Sequence, residues 1–369
     1  MRKLASIQKI TNLEPIEGAD AIEKATVLGW EVVVSKGEFK VGDLCVYCEI
    51  DSILPDREEF EFLRSKKFRV KTIKLRGQIS QGICFPHSLI TEKIIEGMDV
   101  TEILGVKKWC PYEEKKKSNQ SNKLTYPSYI PQFIVNYLHK FRFVRKHFLK
   151  RSLDRTFPPE IPKTDETRVQ VMQKLLDKYK GETCYITEKL DGSSITVYRI
   201  NGKFGVCSRN VDLNRCEDKF WRTVMLHNLE QKFDKVFPEG VNIAMQGELV
   251  GPGVQGNKYG LEELDIYFFN IFDISERKYV SFEYFMYVCG IMAEKTAPIL
   301  LDNFKLINSI PEIVEMASGN SVIGNESLRE GIVIRPIKEI EDTNFSGKLV
   351  RNRVSFKSIN REFLLKHEE

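Results

Sequence analysis

The first hundred or so residues hold four short runs rich in β-branched and aromatic residues, "ATVLGWEVVVSKGEF", "DLCVYCEIDSIL", "FRVKTIKLRG" and "QGICFP", separated by Gly, Asp and Pro. Runs of this length between turn residues read as strands. Several of them closing within about a hundred residues give a small all-β barrel. At 369 residues the chain exceeds one typical domain, so at least one further domain follows.

The commonest barrel of this size is the OB fold, expected here over residues 1–105. Within it, "KLRGQISQGI" sets Lys74, Arg76, Gln78 and Gln81 between glycines, either to line a nucleic-acid groove or as a polar hairpin. Residues 106–160 read as a linker. "EEKKKSNQSNK" has no apolar period and is expected to be mobile. "FIVNYLHKFRFVRKHFLKR" then interleaves basic and aromatic residues, as a surface tracking a nucleic-acid backbone would, or a helix face with snorkelling side chains. Residues 161–369 read as α+β. "DETRVQVMQKLLDKY", "DKFWRTVMLHNLEQKF" and "SFEYFMYVCGIMAEK" are helical stretches, and "TCYITEKL", "SITVYRI", "KFGVCSR", "NIAMQGELV", "DIYFFNIFDI" and "GIVIRP" are strands.

Composition narrows the class. A hydrophobic share of 42% with 29% charged residues is that of a globular protein, and the net charge of +4 permits a polyanionic partner without demanding one. No apolar run is long enough to cross a membrane, and "MRKLASIQKI" lacks a signal-peptide core, so an intracellular protein is expected. Eight scattered cysteines fit reduced thiols. Cys45 and Cys48 form a C-x-x-C, but three positions apart on a strand they face opposite ways, which suits buried small hydrophobes better than a metal site.

The chemistry concentrates around "TEKLDGSSITVYRING". Lys189 and Asp191 stand two apart at the end of an apolar run, Gly192 allows a sharp turn, and Ser193 and Ser194 add donors suited to phosphate oxygens. A nucleophilic lysine needs its pKa lowered from about three units above neutrality, by burial and a nearby cation. "MQGELVGPGVQGNKYG" puts Glu248 near a strand end before a glycine-rich loop, "REGIVIRP" puts Glu330 at a strand start, and "VSFKSIN" puts Lys357 in a third strand. Charges gathered at apolar strand ends are costly unless they share a metal–phosphate site.

This order of motifs resembles the covalent nucleotidyltransferase superfamily of polynucleotide ligases and messenger-RNA capping enzymes, across residues 161–362. The resemblance implies Lys189 as the nucleophile that takes a nucleoside monophosphate, with Asp191, Glu248 and Glu330 organising Mg²⁺ or Mn²⁺, partly through its waters. It implies that Glu188 contacts adenine and that Arg209 of "CSRN" lies near the ribose or a terminal phosphate. Phe272 of "FNIFDI" matches the aromatic that stacks on the purine; core packing is the competing role, and Phe268 and Phe269 compete for the position. Lys357 matches the lysine that contacts the AMP phosphate, although the family's K-x-K is here Ser355-Phe356-Lys357.

A leading OB-like segment, "FPPEIPKTDETRVQ" and "GELVGPGVQGNKYGL" resemble the RNA ligase branch with an N-terminal OB module. In "KTDETRVQ", Lys163, Asp165, Arg168 and Gln170 match a nucleotide-side segment; helix capping by Thr164 or Asp165 is the alternative. The resemblance implies a monomeric enzyme that uses ATP to join RNA 3′-hydroxyl and 5′-phosphate ends, at nicks in duplexes, through lysyl-AMP and AppRNA. Two other readings are a GTP-dependent capping-type enzyme or DNA ligase, and a non-catalytic protein that binds RNA ends. Only twelve residues follow Lys357, which leaves no room for the C-terminal OB domain of capping enzymes and DNA ligases.

Overall fold

The computed structural model describes residues 3–109, 155–215, 218–324, 326–345, 347 and 349–367. The basic-aromatic segment and the charged stretch before it lie outside them. In the N-terminal domain a five-stranded antiparallel sheet runs in the order Trp30–Ser35, Ile22–Val27, Ala5–Pro15, Leu44–Cys48, Ile83–Pro86. The expected run "ATVLGWEVVVSKGEF" is thus a hairpin, turning at Leu28 with a positive φ of 55°. The hairpin Thr72–Leu75 and Gln78–Gln81 curls over it, where the Val33 N–H donates to Ser80 Oγ at 3.0 Å. Of the two roles open to this hairpin, a structural one is visible. Gln78 donates to Glu31 at 3.2 Å, and Lys74 lies 3.9 Å from Glu362 on the C-terminal helix. Cys45 and Cys48 are fully buried, and burial pushes the Cys48 thiol up to about 12, so both act as core hydrophobes.

The second domain packs two sheets face to face. One runs Arg155–Thr156, Val211–Leu213, Lys203–Ser208, Ser193–Ile200, Ile243–Val250, Asp265–Asp273, Lys278–Tyr279. The other runs Thr167–Arg168, Phe356–Ile359, Gly331–Pro336, Thr183–Lys189, Ile299–Lys305. Pairing is antiparallel apart from two short parallel contacts, Thr167–Arg168 with Phe356–Lys357 and Lys295–Thr296 with Tyr267–Phe268. Helices Lys219–Leu226, Leu229–Val236 and Phe282–Met292 cover the outside of the first sheet through Trp221, Phe233 and Val288. Helices Gln173–Lys178 and Ile310–Met316 cover the second through Leu175, Leu176 and Ile313. The inner faces are left to form a cleft. Among the described residues no helix is long and apolar enough to cross a membrane.

Two helix expectations need correction. "DKFWRTVMLHNLEQKF" is two helices, capped at the start by the Asp218 carboxylate on the Trp221 N–H and broken at Asn228, whose φ of 52° ends a right-handed turn. "DETRVQVMQKLLDKY" is helical only over Gln173–Lys178. Its first residues are extended because Thr167 and Arg168 pair with Phe356 and Lys357. Asp165 is therefore no helix cap. Val169, Met172, Leu175 and Leu176 are buried all the same, so the apolar spacing was sound and the backbone path was not.

The two domains share a core. Ile359 and Leu364, at the end of the last strand and in the helix Arg361–His367, pack into the N-terminal barrel. Arg361 pairs with Glu31 at 2.6 Å and Arg168 with Asp51 at 3.3 Å across the same junction. The Gly29 N–H donates to the Gln170 carbonyl at 2.8 Å.

Candidate active site

The strand Thr183–Lys189 alternates buried residues that serve the outer core, Cys184 and Ile186, with ones that face the cleft, so Lys189 ends on the cleft side. Opposite it in the ladder is Gly331. A Cβ there would sit 2.2 Å from the Ser358 carbonyl, so only glycine lets the strands close beside the lysine. Glu330, one residue earlier, accepts a hydrogen bond from Lys189 Nζ at 2.6 Å. Gly192 has the same kind of reason: a Cβ would meet the Leu249 carbonyl at 2.4 Å and Glu248 Cγ at 2.8 Å. Close approach, rather than the sharp turn expected from the sequence, requires glycine. It lets the Gly192 N–H donate to Glu248 Oε1 at 3.1 Å.

Asp191 completes the group. Its N–H donates to the Tyr259 hydroxyl at 2.6 Å, and its carboxylate pairs with Lys258. Three carboxylates thus surround Lys189. Burial, with Glu330 and Asp191 nearby, pushes Glu248 up to about 8, and burial together with the Asp191 charge raises Glu330. Burial pulls Lys189 down, yet Glu330, Glu248 and Asp191 outweigh it and hold the amine above its ordinary value. The lowered lysine expected from sequence is not what the protein alone provides. Carboxylates held this reluctantly charged are short of positive charge, which is the condition a divalent cation satisfies. Among the described residues no three His, Cys, Asp or Glu side chains converge tightly enough to ligate an ion directly.

Glu188 turns the other way along the strand and is 1% exposed. Its Oε2 accepts from the Val322 N–H at 2.8 Å, while Oε1 is buried without a hydrogen-bond partner among the described residues. A buried acceptor left open asks for a donor from a ligand. Burial raises the Glu188 carboxyl accordingly.

On the strand Phe356–Ile359, beyond Gly331–Pro336, Lys357 Nζ lies 3.3 Å from Asp165 Oδ1. Burial, helped by the Lys189 charge, pushes Lys357 down to about 8 against the pull of Asp165. Burial would raise Asp165, but Lys357, Lys108 of the N-terminal domain and Arg209 hold it below its ordinary range. Lys163 donates to Asn210, next to Arg209, at 2.9 Å, so both cations stand at the exposed rim. Beside Lys357 the departure at Ser355 has a partner: Arg335, 2% exposed, donates through Nε to Ser355 Oγ at 3.1 Å and through Nη2 to Glu166 at 2.7 Å. Against the upward pull of burial, Arg335 holds Glu166 at about 2.

The Lys357 shift carries a stability sign. Its folded pKa lies below the unfolded value of 10.5, so between about 8 and 10.5 the unfolded chain binds the extra proton and stability rises with pH. Relative to Lys357→Met, the wild type should gain about 3 kcal/mol in urea unfolding over that window. Parallel curves for the two proteins would contradict the assignment.

Two residues expected at the nucleotide are placed elsewhere. Gln170 is 2% exposed at the junction with the barrel, because the 3-10 turn Val169–Val171 carries it away from the cleft. Phe272 is fully buried with Tyr198, Ile161 and Ile274, edge-on to Tyr279 at 5.1 Å. It shares a sheet face with Glu248, but it pairs with Ala244, four residues or about 13 Å along the strand. A bulge opposite Gln246–Gly247 leaves Phe269 unpaired and half-buried, under the Arg335 guanidinium at 5.8 Å. Phe269 is an aromatic that the cleft offers. Sequence reasoning also passed over Lys258, Tyr259, Glu166 and Arg335. Their signals were a lysine inside a glycine-rich loop and an arginine within the apolar strand Gly331–Pro336.

The comparisons with known proteins agree with this fold. An OB-fold domain family model matches residues 4–87 and the RNA ligase family model matches residues 182–359. No curated protein sequence matches the chain. Among solved structures it is similar to Naegleria gruberi RNA ligase. An aspartate-to-alanine variant without ligand is 33% identical, covering 100% of this chain and 98% of that one, with a TM-score of 0.77. A lysine-to-alanine variant with ATP and Mn is 32% identical over 99% of both chains, with a TM-score of 0.78. A form with PPi is 32% identical, covering 100% and 99%, with a TM-score of 0.77. With a 33% identical relative matched end to end and an OB fold ahead of the paired sheets, the chain belongs to the RNA ligase family, in the branch that carries an N-terminal OB-fold domain.

Proposed function

We propose that this RNA ligase uses ATP to join a 3′-hydroxyl to a 5′-phosphate at nicks in RNA-containing duplexes, as an intracellular monomer, through a lysyl-AMP and an AppRNA end. The observation that carries the reading is Lys189, on the cleft side of a strand end and 2.6 Å from Glu330, with Asp191 and Glu248 beside it. The Naegleria relative with ATP and Mn supports the choice of nucleotide and ion. Six described cysteines, all free and buried, support a reducing compartment.

Lys189 attacks the α-phosphorus of ATP; the P–N bond forms as the bond to the β-phosphate oxygen breaks and pyrophosphate leaves. Asp191, Glu248 and Glu330 would hold a Mg²⁺ or Mn²⁺ ion, which would supply charge neutralisation for phosphate oxygens and relieve the carboxylate pull that keeps Lys189 protonated. Glu188 accepts the adenine amino group on its open Oε1, and Phe269 offers its ring to the purine. Lys357, two strands from Lys189 in the same sheet and within reach of its charge, balances the α-phosphate as charge moves onto its oxygens. Asp165, held by Lys357, fixes that lysine in place, while Lys163 and Arg209 at the rim meet the ribose or a substrate phosphate. The RNA 5′-phosphate then attacks the lysyl-adenylate, and the 3′-hydroxyl finally displaces AMP.

A nick assay tests the reading. With ATP, duplexes with RNA on the 3′-hydroxyl side should be sealed, and GTP should fail because Glu188 accepts from the adenine amine and repels the guanine carbonyl. Sealing with GTP, or of all-DNA nicks in preference to RNA, would contradict it.

A further inference from the structure

We propose that Lys258 is a built-in counter-cation that stands in for the divalent ion at Asp191 and is displaced when the ion binds. The inference rests on the reading of Asp191, Glu248 and Glu330 as the metal-organising group. Three carboxylates meet in the cleft and two ammonium groups answer them: Lys189 on Glu330, and Lys258 on Asp191. Both ion pairs are at least three-quarters buried, so each is screened far less than a surface pair.

The loop grips Lys258 from several sides. Gln255, Gly256 and Asn257 all take positive φ, which folds the chain back over the strand Ile243–Val250. The Ser327 hydroxyl donates to the Lys258 carbonyl, and the Lys258 ammonium sits 4.6 Å above the Phe363 ring. Tyr259, next along, is 5% exposed and takes the Asp191 N–H. Phe363 belongs to the helix whose Leu364 is planted in the N-terminal barrel. The cation is thus preorganised on a rigid support and aimed at the carboxylate that lies two residues from the nucleophile. A side chain held only by a surface charge would not need these contacts.

The test is Mn²⁺ binding to nucleotide-free protein, followed by the free-ion EPR signal. Without a resident cation to displace, Lys258→Met should bind Mn²⁺ at least tenfold more tightly, roughly the effect of one unit charge within a few ångströms at an effective dielectric of about 20. Lys258→Arg should stay near wild type. Metal-free Lys258→Met should melt lower than wild type, and Mn²⁺ should raise its melting point more. On unmodified protein, Mn²⁺ should speed acetylation of Lys258, read by mass spectrometry, which holds even if the variant folds poorly. Unchanged or weaker Mn²⁺ binding by Lys258→Met, or an acetylation rate indifferent to Mn²⁺, would overturn the proposal while leaving the metal reading intact. Loss of ATP affinity at unchanged Mn²⁺ affinity would reassign Lys258 as a phosphate contact. A wild-type protein that binds no Mn²⁺ would overturn the metal reading and this inference with it.

Discussion

Lys189→Ala is expected to lose ATP-dependent joining by at least about 10⁴-fold while still joining RNA supplied with a ready-made AppRNA end. The amine is the only group in the reaction that forms a bond to the nucleotide phosphorus on the protein, and no neighbour can replace it. Lys357 is nearest in kind, but it lies on another strand and is committed to Asp165. The final step, attack of a 3′-hydroxyl on AppRNA, needs the charges around the phosphate and not the nucleophile. The fold should survive, because removing Lys189 relieves burial of a cation but leaves Glu330 uncompensated, a cost of a few kcal/mol in a two-domain protein. Equal loss on ATP-dependent and pre-adenylylated substrates would indicate general damage to the site instead.

Glu248→Gln and Glu330→Gln should each lower lysine adenylation by about 10²- to 10³-fold, or about 3–4 kcal/mol, the effect of removing one carboxylate charge that the ion-loaded site would carry. Their stabilities should diverge. Glu248 is raised to about 8 by burial and by Glu330, so at neutral pH it is already largely protonated, and glutamine copies that state. Glu248→Gln should therefore unfold at the same temperature as wild type or higher. Glu330→Gln breaks the 2.6 Å pair with Lys189 and should unfold lower. Calorimetry of metal-free protein separates the two. A wild-type rate for both variants at limiting Mg²⁺ would remove them from the metal group.

Much of this site was readable because charged residues at the ends of apolar strands are costly without a purpose. Lys189, Asp191, Glu248, Glu330 and Lys357 stand out on that ground, and the structure gathers them from separate strands into one cleft. What was not readable depends on partners far along the chain. The extended path of Asp165–Arg168 is set by Phe356 and Lys357, nearly two hundred residues later, against a local helical preference. Gln170 could not be placed from local pattern, since the N-terminal barrel claims it. Likewise nothing local marks Ile359 and Leu364 as part of another domain's core. Phe272 failed for a different reason: a single bulge decides which aromatic of "DIYFFNIFDI" opens onto the cleft, and bulges leave little trace in alternation. The pKa of Lys189 was misjudged because the sequence shows the lysine and its carboxylates but not the balance between burial and three nearby charges.

The proposed reaction begins with one covalent bond, between Lys189 Nζ and the α-phosphorus of ATP. Peptide mapping by mass spectrometry, after incubation of the wild-type chain with ATP and magnesium, measures it directly. One adenylyl group is expected, acid-labile and confined to the peptide that carries Lys189, lost again on addition of pyrophosphate. An unmodified Lys189 peptide, or an adenylyl group on any other lysine, would contradict it.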